Sequence, residues 1–126
     1  MKAAKSIFLL AAIYGFFVIV PSFFMEANFA RDEPFTHPQF FYGFMGVALA
    51  WQFAFVVIAQ DPKRYRPFIL AAIVEKFSFF IASLALFSEG RIVSGDLPGP
   101  AIDGILGIAF VYAWIVTGRA EPAAAE

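Results

Sequence analysis

Residues 69–87 read "ILAAIVEKFSFFIASLALF", an apolar run interrupted only by two serines and by the adjacent Glu75 and Lys76. Its length is close to the ~20 residues that a helix needs to cross a hydrocarbon core of about 30 Å. A buried helix of a water-soluble domain could carry a similar run, so the rest of the chain has to decide between the two. Of 126 residues, 61% are hydrophobic, 19% aromatic and only 15% charged, and the mean hydropathy is +0.76. Eighteen phenylalanines exceed what one small aqueous core can hide, whereas lipid accepts them on every helix face. The run therefore reads as a membrane span.

Working outward, four apolar segments appear at roughly 5–24, 38–60, 67–88 and 100–118, separated by "EANFARDEPFTHP", "QDPKRYRP" and "SEGRIVSGDLPGP". The expected fold is all-α: a single polytopic bundle of four transmembrane helices over residues 1–119, followed by a short disordered tail at 120–126. Pro67 and Pro100 fall in first helical turns, where proline is tolerated. Lys2, Lys5, Lys63, Arg64, Arg66 and Arg119 flank one side of the proposed spans, and only Arg31 and Arg91 occupy the other two loops. That asymmetry places both termini and the "DPKRYR" hairpin loop in the cytoplasm, because Lys and Arg resist translocation. The basic "MKAAK" start followed by "SIFLLAAIYGFFVIV" imitates a signal peptide, but the run is long and Asn28 spoils the "ANFA" cleavage pattern.

Several chemistries are excluded by residues that are missing. Without cysteine there are no disulfides, thiol redox steps or iron–sulfur clusters, and the single histidine, His37, cannot build a metal site alone. No metal and no cofactor are expected. A net charge of -1 without a basic aromatic patch gives no reason to expect nucleic acid. Phosphate-binding glycine loops, HExxH and GxSxG are absent too, so a kinase or hydrolase has no support.

What remains is a polar layer. Counting 1.5 Å per residue inward from the basic ends puts Glu75 roughly 13 Å deep. Gln52 and Tyr14 stand at the same depth, with Trp51 and Lys76 beside them and Tyr112 slightly shallower. Tyr14, Trp51, Gln52, Glu75, Lys76 and Tyr112 are the candidate binding residues, and Glu75 is the one candidate for catalysis. Charged groups at such depth face a bundle interior, a wet cavity or a partner. Glu75 and Lys76 project about 100° apart on the helix, so they need not pair squarely. A polar clasp fixing helix register is the plain interpretation; a ligand-binding or proton-handling carboxylate is the sharper one. Asp103, in "GPAIDGILG", lies about 10 Å nearer the opposite surface than Glu75 by the same count. It is expected to oppose the helix macrodipole in the first turn of the fourth span.

Minor features have plain explanations. Thr36 is a candidate helix cap and Tyr42 an interfacial aromatic in "THPQFFYG". Gly46, Ala50 and Ala54 on the second span, Ala11 and Gly15 on the first, and Gly104 and Gly107 on the fourth suit close packing within the bundle, with a homo-oligomer contact as the alternative.

The segments "HPQFFYGFMGVALAWQFAFVVIAQDPKRYRPF", "EK" and "IDGILGIAFVYAW" resemble small four-helix bacterial membrane proteins of the DoxX-like group. The resemblance implies an inner-membrane location and carries no catalytic residues across. Small multidrug transporters are similar in length, but their membrane glutamate belongs to the first helix, and the first span here has no acid in its apolar core. Sterol isomerases of the EXPERA type also set acids and a tryptophan around an apolar pocket, which Glu75, Trp51 and Tyr112 could imitate. The expectation is a small inner-membrane protein that is structural, or that binds a hydrophobic molecule between its helices, with membrane lipid as its surroundings. The alternatives are an isomerase-like enzyme or proton-coupled carrier using Glu75, and an assembly subunit of a larger membrane complex.

Overall fold

A computed structural model describes residues 1–119, and the expected tail at 120–126 lies outside the described residues. Among the described residues five helices form: α1 (Lys2–Ser22), α2 (Glu26–Ala30), α3 (Pro38–Gln60), α4 (Arg66–Ser88) and α5 (Pro98–Thr117), with a 3-10 turn at Ser94–Asp96. No strand occurs among the described residues. Helices α1, α3, α4 and α5 are long and apolar enough to cross a membrane. Their outward faces are apolar as well: Leu10, Phe17, Phe40, Phe53, Val74, Ile105 and Ile108 are all exposed, which water would penalise and lipid does not.

Proline starts three of these helices, at the positions whose amides have no helical acceptor. Helix α3 opens at His37, without the side-chain cap expected of Thr36. Asp61 ends it: its backbone carbonyl accepts from Tyr65 N at 3.0 Å and its Oδ1 from Arg64 N at 3.1 Å, giving a tight turn into α4. At the other end of α4, Gly90 takes a positive φ of 70° and its amide reaches Phe87 O while that of Arg91 reaches Leu86 O. This is the left-handed helix stop for which glycine is suited.

Helix α1 packs chiefly on α3 and also on α5, and α4 packs on α5, while α3 and α4 share only a narrow contact. The sequence-adjacent hairpin is therefore splayed. The core lies at the end bearing the α3–α4 turn, where Phe8, Phe55 and Phe110 are fully buried beside Ala4, Ala12, Ile58, Ile69, Ala72 and Ala113. Phe8 stacks on Phe110 at 4.4 Å, and Phe55 meets Phe110 edge-on at 5.1 Å. At the same end Arg66 lies 3.4 Å from the centroid of the Trp114 ring and its Nε donates to Trp114 O at 3.2 Å. A cation there also suits the negative end of α5.

Small residues divide by location. Gly104 and Gly107 receive the rings of Phe80 and Phe77, each of which would sit about 3 Å from an added Cβ. Gly15 receives Gln52, whose carboxamide occupies the space of a Cβ. The α3 stripe does not pack inside the bundle as expected: Gly46 and Ala50 face outward, and nothing lies within 4 Å of a Cβ placed on Gly46.

Candidate functional site

The inner face of each long helix changes chemistry partway along. On α3 the buried positions run Met45, Ala48, Gln52, Phe55, Ile58. On α4 they run Ile69, Ala72, Lys76, Ser83. Both follow the three-to-four residue spacing of one helical face. Past Phe55 and Ala72 the interior becomes polar and opens into a cavity of about 330 Å³. Every long helix contributes to its wall: Tyr14, Gly15 and Val18 from α1, Met45, Ala48 and Gln52 from α3, Glu75, Lys76 and Phe79 from α4, and Pro100 and Asp103 from α5.

Lys76 is the centre of the polar group. Its side chain is 6% exposed, less than those of Glu75 (20%) and Asp103 (15%). Its Nζ lies 3.2 Å from Asp103 Oδ1, to which it donates, and 3.3 Å from Glu75 Oε2. Asp103 thus has a partner in α4 and no capping role, because no side chain caps α5. The two carboxylates are offset along the bundle, as residue counting indicated. The facing pairs Phe77–Gly107 and Phe80–Gly104 set Lys76 level with residue 108, about 7 Å in helical rise from Asp103. The lysine stem spans that offset, a reach the depth count ignored. Glu75 and Lys76 also approach each other, a pairing that their separation of about 100° on the helix allows without requiring it.

Gln52 completes the wall. It is 2% exposed, and its Nε2 donates to Ala48 O, one turn earlier, at 2.8 Å. Its Oε1 lies against Gly15, where an added Cβ would have to displace the carboxamide.

Of the residues expected to form one layer, Tyr14, Gln52, Glu75 and Lys76 line this cavity. Trp51 is half-buried, beside Phe55 and at the α3–α4 cleft. Tyr112 is 51% exposed and belongs to neither cavity wall. It follows Phe110 by two residues, a rotation of about 200°, so it emerges on the opposite face of α5. Asp103, outside the expected layer, precedes Phe110 by seven residues and shares its face; that spacing was the signal that could have found it. His37 is at the start of α3 against Phe40 and does not line the cavity.

The cavity's far end is roofed by loops. Phe29 of α2, and Gly95, Asp96 and Gly99 near the 3-10 turn, line it. Asp96 forms an ion pair with Arg31 and accepts from Val93 N at 3.0 Å, tying the two loops together over the opening. Among the described residues no cluster of His, Cys, Asp and Glu has the makings of a metal site.

Comparison of the chain with protein-family models, with curated proteins and with solved structures finds no match.

Proposed function

We propose that this chain is a multi-pass protein of the bacterial inner membrane, with both termini in the cytoplasm, that binds a hydrophobic molecule in its interhelical cavity. The four long apolar helices and the apolar outward faces support the membrane reading. The basic residues at one end, Lys2, Lys5, Lys63, Arg64, Arg66 and Arg119, support the orientation. The observation that carries the binding reading is the cavity itself: apolar side chains from Val18, Met45 and Phe79 share its wall with a polar group built from Gln52, Lys76 and Asp103 on three helices. An apolar site with a few convergent polar groups is the usual form of a small-molecule pocket.

Native mass spectrometry of protein extracted gently from its own membrane, combined with lipid extraction of the same sample, tests this reading. A retained small molecule that is lost from Glu75→Gln supports it. Equal stability and only bulk lipid in both forms would leave the polar group as a clasp between helices.

A second reading, a membrane enzyme or proton-coupled carrier, is favoured by one feature. Glu75 Oε2 is buried and makes no hydrogen bond, with Lys76 Nζ as its ionic neighbour at 3.3 Å, which leaves it able to exchange a proton with a guest. In that case Glu75→Gln retains the molecule and loses turnover or transport.

A further inference from the structure

Among the described residues two buried side-chain oxygens make no hydrogen bond: Gln52 Oε1, and Glu75 Oε2, which is ion-paired with Lys76 Nζ at 3.3 Å; both residues line the cavity. Both are acceptors. The orientation of Gln52 is decided by its other end: Nε2 donates to Ala48 O, and exchanging the two ends of the amide would set oxygen against oxygen. The unpaired acceptor is thus a property of the site, at a residue only 2% exposed. Lys76, the one buried cation among the described residues, already faces Asp103 and Glu75, so the group holds one positive charge against two ionisable acids. A carboxylate or phosphate would bring further acceptors to a wall whose buried cation is already held by two acids. A hydroxyl or ammonium group brings a donor for the Gln52 oxygen, which the wall's own donors, Tyr14 and Lys76 among them, leave without a hydrogen bond.

A second cavity, also about 330 Å³, shares Phe44, Ala48, Glu75, Phe79 and Asp103 with the first and continues past Val47, Trp51 and Ser78. It follows the cleft between α3 and α4, the pair of neighbours in sequence that barely touch. The rings of Phe44 and Phe79, 5.8 Å apart, stand across this cleft. Val47 on its lip is 61% exposed, so the cleft opens sideways onto the apolar surroundings of the bundle and away from the loop-covered end.

We infer that the cavity holds an amphiphile whose head is a hydrogen-bond donor, a hydroxyl or ammonium and not an anion, with its chain leaving between α3 and α4 past Phe44 and Phe79. This rests on the binding reading above. The head is set against Gln52 and Glu75, and the chain lies along Val47 and Trp51 toward lipid.

The test uses wild-type protein in nanodiscs and two photoreactive probes with the same diazirine-bearing chain, one a primary alcohol and one a carboxylate, at a pH where the carboxylate is ionised. Labelling is mapped by mass spectrometry and counted only where excess unlabelled probe competes. The alcohol is expected to label the α3 and α4 segments around Val47 and Phe79 saturably, with an apparent affinity about tenfold above that of the carboxylate. Gln52→Leu should narrow the gap between the two probes without closing it, since Glu75 and Asp103 remain, and Val47→Trp should weaken labelling by both. Saturable labelling by the carboxylate that equals or exceeds the alcohol's would overturn the donor assignment and leave the binding site standing. Saturable labelling confined to other faces of the bundle, or absent with both probes, would overturn the site as well. The wild-type comparison decides the matter even if Gln52→Leu fails to fold, which its thermal transition would reveal.

Discussion

The two halves of this bundle are built from the same four helices and differ in almost everything else. Toward the α3–α4 turn the interior is dry and aromatic, with Phe8, Phe55 and Phe110 in mutual contact and alanines filling the gaps between helices. Toward the loops the same inner faces carry Gln52, Lys76 and Asp103, and the helices stand far enough apart to leave a cavity. In lipid, burial of apolar surface gives little net drive for helix association, so close packing and polar contacts have to supply it. The closed half obtains its stability from packing. The open half gives up packing and keeps a polar group in its place, at a location where the Gln52 oxygen has no hydrogen bond. Lys76 ties α4 to Asp103 of α5, and the Gln52 oxygen is left out of that network.

Substitutions can break or sharpen this contrast. The largest loss is expected from Phe55→Ala in the closed half, roughly 3 kcal/mol, because the ring is fully buried and leaves a void that its neighbours cannot fill. Reversible unfolding in mixed micelles measures it. Lys76→Met should follow, at about 2 kcal/mol, since it leaves Glu75 and Asp103 without their cation while the adjoining cavity allows partial rehydration. Adding Asp103→Asn to Lys76→Met should recover part of that loss, and a strictly additive double variant would argue that the two do not interact.

A smaller effect separates two glycines that the sequence presents alike. Gly15→Ala should cost about 1 kcal/mol more than Gly46→Ala, because its Cβ must displace the buried Gln52 carboxamide. Both changes gain the same helix propensity, which cancels in the comparison. Gly46→Ala by itself should be neutral or slightly stabilising, since nothing lies near the added methyl group. Equal effects at the two positions would mean that Gln52 is free to move, and the cavity wall with it.

Much of this architecture could be read from residues, and the part that could not has identifiable causes. The four spans were legible because apolar runs of that length and density leave few alternatives. Their ends fall within a few residues of the bounds read from the apolar runs and from Pro67 and Pro100. Depth was legible too: Tyr14, Gln52, Glu75 and Lys76 reach one cavity because helical rise is constant. Rotation was harder. Counting depth from the helix ends assigned Tyr112 to the interior without asking which way α5 faces, and Phe110 two residues earlier already occupied the inner face. Asp103 escaped because a lysine stem bridges several ångströms along the bundle. The stripe at Gly46 and Ala50 had the right spacing for close packing and no local mark of facing outward. The splayed α3–α4 pair was also beyond sequence reading, since the tight turn after Asp61 does not report how far the helices separate above it.

The most direct test of an open half joined to a closed half uses the absence of cysteine from this chain, which makes single-cysteine variants free of background. Ala48→Cys on the cavity wall and Ala12→Cys and Ala72→Cys in the closed core would be reacted with a small maleimide in bilayers. Reaction needs the thiolate, hence water as well as access. The expected result is modification at position 48 and protection at 12 and 72 under the same conditions, with saturating long-chain alcohol slowing the reaction at 48. Protection at all three positions would mean that the loop-side half is as closed as the other, and the proposed binding site would not exist.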